Sequence, residues 1–407
     1  MPDELSRRRG PWLPSVHRAL VQGVDAGVFP GAACAVYRHG ELVHGSATGL
    51  ARPGAPATVD TLYDLASLTK VLATTCAVAV LVGQGRLALG ELVRKRLPAF
   101  ARGGKARITV RDLLAHRSGL PAWRPYFALA QADPGAAPLF SGAPTPSSAR
   151  RSRAVVSAAA IAEPPERGIG EAAVYSDVGF MVLGLLLEAC AGARLHALCD
   201  ALIYRPLGLR TLHFRPLGVR ALPRFESFAV TGAARPRPPA PGQEGLFTPG
   251  PDAAPVRGQP PNLGEVDDDN AFAMGGVSGH AGLFGTADEV ARLGASILDE
   301  LGGAARLAPP EVWTALCARD DRTPGSTRAL GFDTPSAEGS SLGGKLGRGP
   351  LGAVGHLGFT GTSLWLDRDR QLAVALCTNR VFPDRSNERI RAFRPRFHDA
   401  VADALDG

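Results

Sequence analysis

Apolar residues recur at helical spacing over residues 15–27, where Val16, Leu20 and Val24 share one face. The period then changes. Residues 31–49 predict a β-hairpin, with strands over 33–37 and 41–45 and a turn at His39-Gly40. The same idiom returns near the other end as strands over 362–366 and 372–378 around a charged turn at 367–370, and an amphipathic helix over 388–405 follows. Between these ends the pattern is mainly helical. Residues 71–82 are almost wholly apolar and predict a buried helix that begins at Ser67. Residues 108–116 predict a short helix with Thr109 as N-cap, Asp112 three residues on and Gly119 beyond its end. An apolar helix is expected over 180–191, stopped by Gly192, and Thr286-Ala287-Asp288-Glu289 reads as a capping box for a helix through Leu298. Stretches 132–152, 234–261 and 324–349, rich in Pro, Gly, Ala and Ser, predict loops, and no internal repeat is found.

These elements predict an α/β (α+β) fold: an antiparallel sheet built from both chain ends and flanked by helices, with a mainly helical lobe inserted between them. The expected organisation is a single domain over 15–404, its sheet lobe from 15–65 and 350–404 and its helical lobe from 66–349. Residues 1–14 form an N-terminal extension. Function would lie in the cleft between the lobes.

Composition narrows the class. At 407 residues the chain can bury a substantial core, and 45% hydrophobic with 20% charged residues suits a globular enzyme. A net charge of +7 raises the question of nucleic acid. The arginines are scattered, however, with clusters only at 7–9, 94–96 and 150–153 and no interleaved aromatics, so the reading is no nucleic-acid partner. The longest apolar stretches, 71–82 and 180–187, fall short of the roughly 20 residues a membrane helix needs. The basic N-terminus leads into no apolar signal core, so a cytoplasmic location is expected. Six cysteines, none as Cys-x-x-Cys, read as buried reduced thiols.

Lysine usage points to chemistry. Of 45 basic residues only four are lysine, and one of these, Lys70, lies in an apolar helix three residues after Ser67. Arginine serves where only charge is wanted, whereas a desolvated lysine can lose its proton and act as a base. Spacing of three places Ser67 and Lys70 in contact on one face, and the first helical turn favours an alkoxide and a neighbouring oxyanion. Tyr175 stands just before the helix predicted over 180–191, where nearby amines could draw a phenol toward base strength. Beside it, Ser176 or Asp177 could equally be the helix N-cap. Residues 355–367 carry Gly355, Gly358 and Gly361 at the entry to a strand, whose edge could offer the Phe359 N–H to an oxyanion opposite the N–H of Ser67.

The three segments Ser67-x-x-Lys70, Tyr175-Ser176-Asp177 and His356-Leu357-Gly358, in this order and separation, resemble the motifs of the serine hydrolase superfamily of class C β-lactamases, low-molecular-weight penicillin-binding proteins (D-alanyl carboxypeptidases) and related esterases. The resemblance runs over residues 15–404 and implies the β-lactamase/transpeptidase-like fold. It implies Ser67 as the acylated nucleophile, Lys70 and Tyr175 sharing its proton as general base, and an oxyanion hole from the N–H groups of Ser67 and Phe359. Asp177, His356, Gly358 and His280 would contact substrate. No cofactor and no metal are expected, and the partner is a small-molecule or peptide acyl substrate. Asp267-Asp268-Asp269 with His280 matches no metal-ligand template and reads as an acidic turn.

Two departures bear on substrate. The second motif ends in Asp177 rather than Asn, and an ionised carboxylate cannot donate to a substrate amide. The third has His356 and Leu357 where β-lactamases carry Lys and Thr. β-Lactam hydrolysis is therefore disfavoured against ester or peptide-like amide cleavage. Segment 269–284 resembles that of relatives acting on cell-wall muropeptides, as D-alanyl carboxypeptidases or muramyl-peptide amidases. The alternative class is a binding or sensor protein that acylates slowly or not at all.

Overall fold

The computed structural model describes residues 8–140, 145–217, 228–232 and 263–406. The stretch 234–261, expected as a loop, lies outside the described residues.

Strand Gly31–Arg38 is the middle of the main sheet. It pairs with Glu41–Arg52 on one side and antiparallel with Leu372–Thr378 on the other, with Ala32 opposite Thr378 and Arg38 opposite Leu372. Ser363–Asp367 and then Ala353–Leu357 extend the sheet to one edge. Arg8–Arg9 and Ala55–Pro56 add short pairings to Glu41–Arg52, so the described part of the N-terminal extension is tied to the sheet.

Alternation explains why these strands read as near-continuous apolar runs. Ala33, Ala35, Leu364, Leu366, Ala373 and Ala375 face one core, while Ala32, Cys34, Val36, Trp365, Val374 and Leu376 face another. Helices Pro14–Asp25 and Ile390–Asp406 cover the second face through Val16, Leu20, Phe393, Phe397 and Val401. Helix Ala287–Leu301 covers the first through Val290, Leu293 and Ile297. With both faces covered, no polar side was needed to mark the strands.

The inserted lobe is built around two apolar helices. The first opens at Leu68, winds as a wide π-turn over Lys70–Thr75 and continues as Cys76–Gly83. The second runs Asp177–Ala191, three residues earlier than its apolar run suggests, because Ser176 caps it by accepting the Gly179 N–H; Gly192 ends it in the left-handed region. A small ribbon of Tyr63–Asp64, Leu283–Gly285 and His213–Phe214 joins the lobes.

Three expectations are corrected. Stretch 132–152 is not simply a loop: it holds a 3₁₀ turn at Ala137–Leu139 and the start of helix Pro146–Ala162, capped reciprocally by Thr145 and Ser148. Thr286 does cap Ala287–Leu301, but Glu289 completes no box, since its carboxylate takes the N–H groups of Arg210, Thr211 and Leu212 instead. Phe359 lies not on a strand edge but in the turn between strand Ala353–Leu357, which was not expected, and strand Ser363–Asp367. Residues 324–349 are irregular, as expected. Among the described residues no single helix is long and apolar enough to cross a membrane; the bent pair Asp177–Ala191 and Leu195–Tyr204 has the length together. All six cysteines are free, five of them buried.

Candidate active site

Ser67 stands where the ribbon strand Tyr63–Asp64 turns into the first apolar helix. The residue before it, Ala66, has φ of +46°, a conformation costing about 1–3 kcal/mol in a non-glycine residue. It is held there by the buried Asp64, whose Oδ1 accepts the Ala66 N–H at 2.9 Å and whose Oδ2 accepts the Asp267 N–H at 2.6 Å. One carboxylate thus fixes both the approach to the serine and the facing wall of the cleft. Burial pushes the Asp64 pKa up to about 7.

The Lys70 ammonium is fully buried and lies at the meeting point of the lobes. It donates to Ser67 Oγ at 2.9 Å, to Asp177 Oδ1 at 2.7 Å and to the His280 carbonyl at 3.2 Å, and it sits 4.7 Å from the centre of the Tyr175 ring. Its charge differs from the free amine read from the sequence. Burial works to neutralise it, but the Asp177 carboxylate, helped by Tyr175, outweighs burial and raises the Lys70 pKa. The Tyr175 hydroxyl is also raised: burial is the main cause, Lys70 opposes it and Asp177 adds to it. Resting Lys70 is therefore a cation and resting Tyr175 a neutral phenol, coupled through shared hydrogen bonds.

His116 sets this second wall. Its Nδ1 accepts the Ser176 N–H at 3.0 Å, and its ring lies between those of Tyr175 and Phe180, at 4.7 and 5.0 Å. Burial, then the positive charges of Arg328 and Lys70, hold its pKa well below 6.5. A neutral His116 with Nδ1 as acceptor fixes the backbone between Tyr175 and Asp177. The close packing of Gly279 against helix Asp177–Ala191, where a Cβ would meet the Phe180 carbonyl at 2.1 Å, brings the His280 carbonyl to Lys70.

The turn 358–362 completes the site. Thr360 and Thr362 donate through their hydroxyls to the carbonyls of Asp64 and Leu65, at 2.7 and 3.1 Å, so this turn and the segment before Ser67 are bolted together. Gly358 permits the approach: a Cβ there would meet the Leu65 carbonyl at 2.7 Å. Among the described residues, neither the Ser67 nor the Phe359 N–H has a hydrogen-bond partner. His356 donates from Nδ1 to the Leu357 carbonyl at 2.7 Å, which leaves Nε2 as a buried acceptor with no partner among the described residues. Burial and the charges of Lys70 and Arg328 hold it neutral.

Two cavities open on either side of the serine and share Ser67, Tyr175 and Phe359. One, of about 150 Å³, is walled by Trp123, Asp177, Asp267, Asp268, Asp269 and Arg385. The other, of about 310 Å³, is walled by Arg328, Arg380, Arg391 and Arg394 against Asp333 and Glu388, and includes His356 and Gly358. The structure thus gathers Ser67, Lys70, Tyr175, Asp177, His356, Gly358 and Phe359 at one cleft. His280 is different: its side chain is buried behind the wall, with Nε2 2.9 Å from Asp268 Oδ1 and Nδ1 2.7 Å from Ser278 Oγ. Arg385 bridges Asp267 and Asp269, at 3.2 Å to each. Asp64, His116, Arg328, Arg380, Arg385 and Arg394 were not foreseen as site residues; their roles come from contacts far apart in sequence.

Residues 16–395 match the sequence profile of the family described as Beta-lactamase. The chain is 31% identical over 399 residues to the N-acetylmuramyl-L-alanine amidase of Bacillus subtilis (strain 168), covering 90% of this chain and 81% of that protein. It is 30% identical over 389 residues to an Escherichia coli O157:H7 protein with a provisional D-alanyl-D-alanine carboxypeptidase name, covering 90% and 82%. In fold it is similar to a penicillin-binding protein homologue from Caulobacter crescentus, with a TM-score of 0.71 and 22% identity over 98% of this chain and all of that one.

Proposed function

This chain belongs to the beta-lactamase family of serine hydrolases, and on that premise we propose that it cleaves peptide-like amides of the cell-wall muropeptide class through an acyl-enzyme on Ser67. Small esters would serve as surrogate substrates. The observation that carries this reading is the Lys70 ammonium, shared between Ser67 Oγ at 2.9 Å and Asp177 Oδ1 at 2.7 Å beside Tyr175.

In this reading a carbonyl lies against the free N–H groups of Ser67 and Phe359. Ser67 Oγ attacks it and its proton passes to Lys70. Because Lys70 is already a cation, it passes one of its own protons to Asp177 in the same step, so no free amine is needed at rest. Tyr175 then protonates the departing nitrogen or oxygen and draws a proton from the Lys70 network. Water, activated in reverse through Tyr175, releases the acyl group. General acid–base transfers of this kind contribute about 10²- to 10⁴-fold. The larger cavity has four arginines against two carboxylates, which suits a substrate bearing a carboxylate, as a peptide terminus does.

The test is a panel of p-nitrophenyl esters, D-alanyl dipeptides, muramyl peptides and a chromogenic cephalosporin, run beside Ser67→Ala. Turnover of a peptide or muramyl substrate is expected, with Ser67→Ala at background. Fluorophosphonate labelling of Ser67→Ala equal to wild type would remove Ser67 as the nucleophile. Stoichiometric labelling of the native protein without turnover of any panel member would make it a slow penicillin-interactive binding protein instead.

A further inference from the structure

Two arginines behind the turn 358–362 are buried with no carboxylate in ion-pair contact; Asp267 and Glu388 favour the Arg380 charge from farther off, whereas the charges acting on Arg394 are those of Arg380 and Arg391. Arg394 and Arg380 are each only 6% exposed, and among the described residues neither forms an ion pair. Other buried cations at this site are paired, Lys70 with Asp177 and Arg385 with Asp267 and Asp269. An uncompensated buried charge costs several kcal/mol, so a purely structural donor would better be a neutral side chain.

What these arginines touch gives the reason. Arg394 Nη2 donates to the Gly358 carbonyl at 2.7 Å and to the Thr362 carbonyl at 2.8 Å. Arg380 Nε donates to the Phe359 carbonyl at 2.7 Å, and its guanidinium lies 4.4 Å from the Phe359 ring centre. The Gly358 carbonyl and the Phe359 N–H belong to one peptide group. In a trans peptide these two point in opposite directions, so a cation on the carbonyl lies directly behind the N–H. A charged donor on a carbonyl draws density through the C–N bond and strengthens the N–H as a donor. That N–H is without a partner among the described residues and lines the cleft beside Ser67.

We propose that Arg394 is a positioning residue for the oxyanion hole: it holds and polarises the Gly358–Phe359 peptide from behind, so that the Phe359 N–H stabilises charge developing on the substrate oxygen, with Arg380 adding to the same field through the Phe359 carbonyl. The inference rests on the acyl-hydrolase reading above and concerns the bond from Arg394 Nη2 to the Gly358 carbonyl, apart from the charge that Arg394 lends the larger cavity. The effect belongs to the transition state rather than to the bound ground state, so with a neutral ester, which makes no call on the cavity's charge, it acts on kcat with little change in KM.

Three variants separate charge from hydrogen bonding. Arg394→Gln keeps a donor and loses the charge; Arg394→Lys keeps the charge; Ser67→Ala reports on the nucleophile alone. Removing a whole oxyanion donor costs about 10²- to 10³-fold in other enzymes, so loss of polarisation alone is set at about 10-fold in kcat and in fluorophosphonate labelling rate. Arg394→Lys is expected within about 3-fold of wild type on the same scale. Arg394→Gln labelling as fast as wild type, while Ser67→Ala stays unlabelled, overturns this proposal and leaves the acyl-hydrolase reading standing. Ser67→Ala labelling normally would instead overturn that reading. Should Arg394→Gln fail to fold, the wild type still decides. The isotope-edited infrared band of its acyl-enzyme carbonyl is expected at lower wavenumber than the same ester in water, and an unshifted band overturns the proposal.

Discussion

Asp177→Asn removes the negative charge that keeps Lys70 protonated while leaving the side chain's shape. Without it, burial dominates and the Lys70 pKa falls. Whatever fraction of Lys70 stays cationic at neutral pH would then have no carboxylate to relieve it of a proton, and kcat/KM for a p-nitrophenyl ester should drop in proportion to that fraction. Activity should return as pH rises and Lys70 deprotonates, giving a rising limb absent from the wild type. A variant fully active at pH 7 without that limb would contradict the proton path through Asp177. At this scale the sequence made part of the site legible. Ser67, Lys70 and Tyr175 announce themselves through residue type and spacing, and the lone lysine in an arginine-rich chain sharpens the signal. The protonation state of Lys70 was not legible, because it depends on a carboxylate 107 positions away. Asp64, His116 and Arg394 stayed hidden for a related reason: each acts by gripping backbone, and a backbone partner leaves no trace in residue identity.

The turn between strands Ala353–Leu357 and Ser363–Asp367 carries the sharpest steric constraint among the elements. In Gly358→Ala the new methyl would meet Thr362 Oγ1 at 2.0 Å and the Leu65 carbonyl at 2.7 Å, forcing the turn away from Ser67. Ester turnover should fall at least about 10²-fold, the value of one lost oxyanion donor, while the far-ultraviolet circular dichroism stays native. Unchanged turnover would show that the Phe359 N–H plays no part. Caps are a milder case. Ser176→Ala loses the bond to the Gly179 N–H, at 3.0 Å, and strands the Pro121 carbonyl it serves at 2.6 Å. Thermal denaturation should register a loss of about 1–2 kcal/mol. Elements with long apolar runs and strong punctuation were readable from sequence, as the hairpin at His39-Gly40 and the Thr109 cap illustrate. Helix Pro146–Ala162 was not, because it packs through small polar residues: Ser148 and Ser152 are buried, and Ser152 Oγ donates to the Ala273 carbonyl. The π-turn over Lys70–Thr75 was equally silent, since its register is set by what it packs against.

Buried histidines govern the acid side of stability for the molecule as a whole. Burial holds His44 at about 4 and His398 at about 3, and His116 and His356 well below 6.5. Once unfolded, each takes up a proton near pH 6.5, so stability is lost as pH falls below that value. His44 alone accounts for about 3 kcal/mol by pH 4. Asp64 works the other way: its pKa, raised to about 7, gives stability that is present below pH 3.8 and lost as pH rises through 7. Four histidines against one carboxylate leave the unfolded chain holding more protons than the fold near pH 5, so stability falls as pH drops through that range. Urea midpoints measured from pH 7.5 to 4.5 should fall steeply, and a flat profile would mean these histidines are protonated in the fold. The sheet itself has a consequence in time. The Gly31 N–H finds its Asn379 acceptor 348 residues later, so a ribosome adding about 5–20 residues per second leaves the first hairpin without its neighbour for roughly 20–70 s. Nascent chains arrested before residue 372 should be cut readily by protease within 31–52, and chains extended past 379 should resist; early resistance would mean the hairpin shelters against something else while it waits.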